Sequence, residues 1–191
     1  ASFSFMIPEG ASDPFINKVS AVYKYVAGAF ELEAKASSEF SVNLFQPKYS
    51  IEKTVDKDTA IPGETVRYKI TVKNLSSEDT PLTHFTLTDE LLGWTGADAK
   101  TFDLAFNEEK VFEGPETDYV IPAGALDGSI IKNEASFVTK FDDFTNVYDG
   151  SAFAETTVLV PALKITKTGD ELSKIGDEVS YTFVVENIGS V

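Results

Sequence analysis

A lysine, an aspartate and an asparagine stand at positions where the alternation of this chain calls for apolar side chains. Lys53 shares the phase of Tyr49, Ile51 and Val55. Asp89 continues the series Phe85, Leu87, and Asn133 lies between Ile131 and Ala135, in step with Phe137. An isolated buried charge is expensive, so each of the three should have a partner, and the simplest arrangement is that they find one another. Burial pushes a lysine toward the neutral amine and an aspartate toward the neutral acid. A neutral amine is a nucleophile, a carboxamide carbon is an electrophile, and a protonated carboxyl can polarise the carbonyl and serve the departing nitrogen. The product would be a Lys53–Asn133 amide with loss of ammonia, formed once and without turnover. The competing arrangement has Lys53 snorkelling to solvent, with Asp89 and Asn133 satisfying backbone groups near strand ends. A one-residue bulge before any of the three would turn that side chain outward.

The elements that must hold these residues are strands. Val66, Tyr68, Ile70 and Val72 share one face, and Arg67, Lys69, Thr71 and Lys73 the other, the period of two that marks half-buried strands. Phe85 and Leu87 alternate with Thr86 and Thr88, Ile131, Ala135 and Phe137 with Lys132, Glu134 and Ser136, and Phe153 to Val160 reads as a final strand. Turn chemistry separates these runs at Pro62-Gly63, Asn74 to Ser77, Gly93 to Gly96, Gly114-Pro115 and Asp127-Gly128. Short strands at this spacing, with no helical period, predict an all-β fold, a two-sheet antiparallel sandwich of immunoglobulin type. Lys100 to Val111 is the stretch whose elements are least defined.

The strands recur. Lys53-Thr54 returns as Lys167-Thr168, 114 residues later, while Gly63, Tyr68 and Asn74 return as Gly176, Tyr181 and Asn187 after 113. Ile7-Pro8 with Gly10-Ala11 and Asp13 returns as Ile121-Pro122 with Gly124-Ala125 and Asp127, and Asn17 maps to Asn133 after a two-residue slip. A period near 114 predicts tandem domains. Residues 1–48 read as the C-terminal part of a preceding repeat, 49–160 as a complete repeat, and 161–191 as the N-terminal part of a following one, so that the chain is a slice of a longer protein. Asn17 and Lys167 then occupy the cross-link positions of the partial repeats. The join Val158-Leu159-Val160-Pro161-Ala162-Leu163-Lys164 has no Gly/Ser tract, so neighbouring domains should sit end to end with limited freedom.

Composition narrows the partners. With 31 acidic residues against 16 basic ones, the net charge is −15, which argues against nucleic acid and anionic membrane, both of which bind through Lys and Arg. No apolar run approaches the roughly 20 residues of a membrane-spanning helix. There is no cysteine, so covalent reinforcement, if present, must be of another kind.

Taken together, Lys53-Thr54, Pro62-Gly63-Glu64-Thr65-Val66-Arg67-Tyr68-Lys69-Ile70-Thr71-Val72-Lys73-Asn74, Leu82-Thr83-His84-Phe85-Thr86-Leu87-Thr88-Asp89-Glu90-Leu91 and Ile131-Lys132-Asn133-Glu134-Ala135-Ser136-Phe137-Val138 form one frame. It resembles the immunoglobulin-like surface repeats of large bacterial and archaeal envelope proteins, a family related to the isopeptide-bonded domains of pilins and adhesins. The resemblance covers 49–139 well, 161–191 as a beginning and roughly 6–48 as an ending. It implies Lys53 as nucleophile, Asn133 as acceptor and Asp89 as the assisting acid. The second copy departs at its turn, where Ile175-Gly176 replaces Ile61-Pro62-Gly63 while Lys167 is kept.

Other signals are weaker. Asp142, Asp143, Asn146 and Asp149 form an oxygen-rich segment that would suit calcium, but it lacks the regular spacing of a calcium loop, and a solvated acidic loop is the simpler reading. Asp56 and Asp58 are a fainter second candidate. His84 has no second metal ligand near it in sequence and reads as a surface residue. Trp94 reads as a cap on the sandwich, with an exposed contact residue as the alternative. Asn74-Leu75-Ser76 is an acceptor sequence for glycosylation in an expected surface turn. No phosphate loop or dinucleotide fingerprint is present.

These readings favour a structural extracellular or cell-surface protein, its stacked repeats forming a stalk, filament or coat. Its partners would be neighbouring repeats or further copies, and no organic cofactor or turnover catalysis is expected. Two alternatives stand beside it: an adhesin-type module binding carbohydrate or protein through its end loops, with Trp94 and the acidic loop as its residues, and a filament subunit whose incomplete ends accept strands in trans.

Overall fold

The computed structural model describes residues 2–141 and 145–191. Thirteen strands account for nearly all of its regular structure. An N-terminal hairpin pairs β1 (Phe15–Ala27) with β2 (Phe30–Val42). The central unit runs through β3 (Tyr49–Val55), β4 (Thr59–Ala60), β5 (Thr65–Asn74), β6 (Thr83–Asp89), β7 (Lys100–Leu104), β8 (Glu109–Phe112), β9 (Asp118–Val120), β10 (Ile130–Lys140) and β11 (Val147–Val158). A second hairpin, β12 (Leu163–Gly169) with β13 (Tyr181–Asn187), follows.

The central unit is a two-sheet sandwich. One sheet has the order β4-β11-β10-β6-β7, the other β3-β5-β8, with β9 also pairing to β5. Every pairing is antiparallel except the short contact of β4 with β11. The alternation in β5 does what it predicts: Val66, Tyr68, Ile70 and Val72 are all fully buried. Facing them are Phe85 and Leu87 of β6 and Ala135 and Phe137 of β10, so two inner faces interdigitate into one core. Tyr49, Phe85 and Phe137 meet edge to face, with ring centroids 5.1–6.1 Å apart.

Three details differ from the expectations above. The stretch Lys100 to Val111 makes two strands that belong to different sheets: β7 pairs with β6, β8 pairs with β5, and the chain crosses over between them with Asn107 in the left-handed region (φ 58). The last strand of the sandwich begins at Val147 rather than Phe153, because β11 pairs along the whole length of β10, from Lys140↔Val147 to Ile130↔Thr157. Asn74 is fully buried instead of lying on the surface. Its amide donates to the Leu104 carbonyl (3.2 Å) and its oxygen accepts from the Ser76 N–H (3.0 Å), so the sequence that could accept a glycan is used internally.

The two hairpins repeat the pairing of the central unit. Lys53 lies opposite Ile70, and Lys167 lies opposite Phe183. Asn133 lies opposite Ala154, and Asn17 lies opposite Phe40. The turns agree as well: Gly63 (φ 85) and Gly176 (φ 94) both occupy the left-handed region that glycine adopts without cost, and each turn is closed by a backbone bond three residues long, Glu64 N–H to Ile61 O (3.0 Å) and Asp177 N–H to Lys174 O (3.1 Å).

The joins also match. Before β3, Leu75 N–H donates to Lys48 O (2.7 Å), Ser77 N–H to Gln46 O (3.2 Å), and Gln46 N–H to the Ser77 hydroxyl (2.9 Å). Before β12, Ile188 N–H donates to Ala162 O (2.9 Å), Ser190 N–H to Val160 O (3.3 Å), and Val160 N–H to the Ser190 hydroxyl (3.2 Å). The absence of a flexible tract at this join thus goes with a hydrogen-bonded connection.

Candidate cross-linking site

Lys53 enters the core from β3, in the sheet opposite to the one that carries Asp89 and Asn133. Asp89 is the last residue of β6, and its backbone pairs with Ala135 of β10; Asn133 stands two residues before Ala135 on the same inward face. All three side chains are inside the sandwich. Lys53 retains 7% of its exposure, Asp89 and Asn133 1% each. No bulge turns any of them outward, and Lys53 does not snorkel: its ammonium group is wholly shielded from solvent.

Lys53 Nζ donates to Asp89 Oδ2. The other carboxylate oxygen, Oδ1, accepts the Leu92 N–H at 3.0 Å, which anchors Asp89 to the turn that follows β6. That turn is closed by a two-way backbone bridge between Asp89 and Trp94 (2.8 and 3.1 Å). Lys53 Nζ also stands 5.0 Å from the centre of the Tyr68 ring, within cation–π range.

Burial pushes the Lys53 ammonium below its ordinary value; the hydrogen bond and charge of Asp89, and the charge of Glu134, oppose that shift without cancelling it. The Tyr68 hydroxyl is pushed up to about 12, first by burial and then by the negative charge of Asp89.

Asn133 is the unusual member. Its carboxamide is buried, yet neither Nδ2 nor Oδ1 makes a hydrogen bond. Each buried polar atom left so costs about 1–3 kcal/mol, and most native carboxamides avoid it. A pocket of about 400 Å³ that opens to solvent is lined by both Asp89 and Asn133. The site therefore brings an ammonium that burial makes easier to deprotonate to a carboxyl bonded to it, with an unengaged carboxamide on the same inner sheet face as that carboxyl.

The remaining sequence candidates separate from this cluster. Asn17 and Lys167 are exposed on their hairpins; Lys167 Nζ lies 4.1 Å from the Tyr181 ring centre, the same relation that Lys53 has to Tyr68. Asp142 and Asp143 lie outside the described residues. Asn146 precedes β11, and Asp149 sits within it, paired opposite Val138, so these two do not belong to a single loop. Asp56 is occupied by the Arg67 N–H (2.8 Å), and Asp58 uses its carbonyl to accept from Thr157 (2.9 Å). Among the described residues no group of three or more His, Cys, Asp or Glu side chains is placed to hold a metal ion. His84 is exposed and paired with Asp103. Trp94 is a core residue, 5% exposed and 5.5 Å from the Phe112 ring, which removes it as a contact residue for a ligand.

The sequence reading did not single out Tyr68, Glu134 or Asn74 as parts of a polar interior. The signal for Asn74 was present, since the alternation of β5 runs on from Val72 to Asn74. The proximity of Glu134 depends on tertiary placement that alternation does not encode.

No protein-family model matches the chain, and no curated relative does. Among solved structures, the CARDB domain of a Pyrococcus furiosus protein, crystallised in complex with di-metal ions, is similar at 18% identity and a TM-score of 0.37, over 59% of this chain and 93% of that one. The assignment as a β-sandwich rests on the strand pairing itself. No helix among the described residues is long and apolar enough to cross a membrane.

Proposed function

We propose that this chain is a load-bearing structural module of an extracellular or cell-surface protein, whose sandwich is closed by a Lys53–Asn133 isopeptide bond. The single observation that carries the reading is the buried Lys53–Asp89 pair beside a buried carboxamide with no hydrogen bonds. The proton of the ion pair passes from Lys53 Nζ to Asp89. The freed amine attacks Cγ of Asn133, and the Asp89 carboxyl stabilises the oxyanion. The C–Nδ2 bond then breaks. Asp89 gives a proton to the departing nitrogen and recovers one from the attacking nitrogen, so ammonia leaves and Asp89 is left as the neutral acid, holding the proton that Lys53 first gave up. The reaction is a single event, and no turnover enzyme is implied.

The bond would tie β3 to β10 across the two sheets and close a loop of 80 residues. On the loop-entropy model used for disulfides, that is worth about 4–5 kcal/mol. It would also engage the Asn133 carboxamide, whose atoms are otherwise buried without partners. Intact mass of the denatured protein tests the reading: the expected value is the sequence mass less one ammonia. The full mass should return in Lys53→Met and Asn133→Ala. An unmodified wild-type mass would end the proposal.

A second reading, strand completion between units, is favoured by the hairpins. Both repeat the central register, and both expose apolar residues on the faces that the sandwich buries, Val19 and Phe40 on one and Ile165, Phe183 and Val185 on the other. In an array, Asn17 and Lys167 would take the positions of Asn133 and Lys53 in neighbouring units. Analytical ultracentrifugation across a concentration series tests association between copies of this chain, and a covalent ladder that disappears in Lys167→Met would identify the linkage.

A further inference from the structure

The ladder between β6 and β10 stops at Ala135↔Asp89. Beyond that pair β6 turns away through Glu90 and Gly93, whereas β10 continues past Asn133, paired there on one side only, to β11. The sheet is therefore open between β10 and the turn after β6. The pocket occupies this opening, lined by Thr88 and Ser136 on the flanks, by the charged Glu90, Glu134 and Lys132, and by Asp89 and Asn133 of the buried site. Lys53 is not among its lining residues; it approaches from the opposite sheet. The carboxamide that lines the opening is 1% exposed and makes no hydrogen bond.

We propose that this gap in the sheet is the port of the cross-linking site, through which ammonia leaves and through which small amines of the same size reach Asn133. The inference rests on the reading of Lys53, Asp89 and Asn133 given above. Nucleophile and leaving group then have separate routes: the amine of Lys53 comes through the core, and the displaced nitrogen departs through the outer face of the five-stranded sheet.

Hydroxylamine that enters by this port would meet the Asn133 carboxamide, buried at its inner end, once Lys53 is removed as a nucleophile. Hydroxylamine nitrogen would attack Cγ, the C–Nδ2 bond would break, and Asp89 would hand a proton to the leaving ammonia while taking one from the attacking nitrogen, leaving a hydroxamate at residue 133. The background is low, because no asparagine in the chain precedes a glycine.

The experiment treats folded Lys53→Met protein with hydroxylamine and maps hydroxamate by peptide mass. The expected result is modification at Asn133 that falls at least tenfold when Ser136→Phe fills the opening and is kept when Ser136→Ala does not. No modification at Asn133, or modification undiminished by Ser136→Phe, overturns the proposal. Should Lys53→Met fail to fold, ammonia release is followed during refolding with Lys53 in place: Ser136→Phe should slow it, and an unchanged rate overturns the proposal. The two readings fail separately. A wild-type protein that loses ammonia alongside an unlabelled Lys53→Met removes the port and keeps the bond, whereas a wild-type protein of full mass alongside a labelled variant does the reverse.

Discussion

The ion pair of Lys53 with Asp89 and its neutral tautomer, amine beside carboxylic acid, contain the same number of protons. The rate of bond formation should accordingly be flat across the pH range in which the pair holds one proton. It should fall in acid, once the pair gains a second proton and the amine is locked as ammonium. It should fall again in alkali, once the shared proton is lost and Asp89 can no longer act as an acid. Because burial lowers Lys53, the alkaline limb should lie below the ordinary lysine value of 10.5. Mass spectra taken during refolding at a series of pH values give this profile, and a rate that climbs steadily through 10.5 would contradict it. Removing the acid has two effects at once. Asp89→Ala should abolish the mass loss and, compared with Asn133→Ala, which lacks the bond as well, destabilise the fold by about a further 3–5 kcal/mol at neutral pH, since it leaves an uncompensated buried cation; urea unfolding of the two variants side by side separates this effect from loss of the bond. The three residues were legible in the sequence because period-two alternation assigns each position to a face, and a charged residue on the apolar face is conspicuous. What alternation does not encode is who meets whom across the sandwich: that Tyr68 lies under the Lys53 ammonium, and that Glu134 contributes to its field, are consequences of packing.

At the scale of strands, β3 is held noncovalently by β5 alone on its hydrogen-bonded edge, so it is the strand that force would peel first. The Lys53–Asn133 bond would oppose that peeling directly. Asn133→Ala should lower the melting temperature by on the order of 20 °C if the full 4–5 kcal/mol is realised, and single-molecule pulling should show longer extension, since 80 residues are no longer bypassed. A different prediction concerns β11. Gly150 lies opposite Phe137, and a Cβ built there would stand 2.7 Å from the ring. The ring cannot retreat, being packed against Tyr49 and Phe85. Gly150→Ala should therefore cost about 1–3 kcal/mol by overpacking, read from the midpoint of urea unfolding. The strand order shows where sequence reading ended. Strong alternation announced β5, β6 and β10, but β7 and β8 are five and four residues long, and their division between two sheets depends on a crossover at Asn107 that no periodicity signals.

For the whole chain, the most consequential feature is the connection between units. Asp127 accepts the Val160 N–H at 2.8 Å and the Ser190 hydroxyl, linking the end of the sandwich to the strand that leaves it and to the turn after β13. The Ser190 hydroxyl and the Val160 N–H hold its carboxyl below the ordinary value of 3.8. A depressed carboxyl stabilises above its unfolded value and loses that contribution as pH falls through the folded one. The connection should stay closed at neutral pH and loosen only in strong acid, while Asp127→Ala should loosen it at every pH. Amide exchange at Val160 reports the change, and unaltered protection in the variant would refute it. Three hydrogen bonds recur at the two joins, while the Asp127 contacts do not: Asp13, its counterpart, accepts the Leu44 N–H at 2.9 Å. Were the joins to impose the same rotation and the same advance each time, successive units would be related by a screw operation. If further units follow by the same connection, a long array would wind about a straight axis with a fixed pitch, and tension would first be felt as untwisting of that spiral before any sandwich gave way.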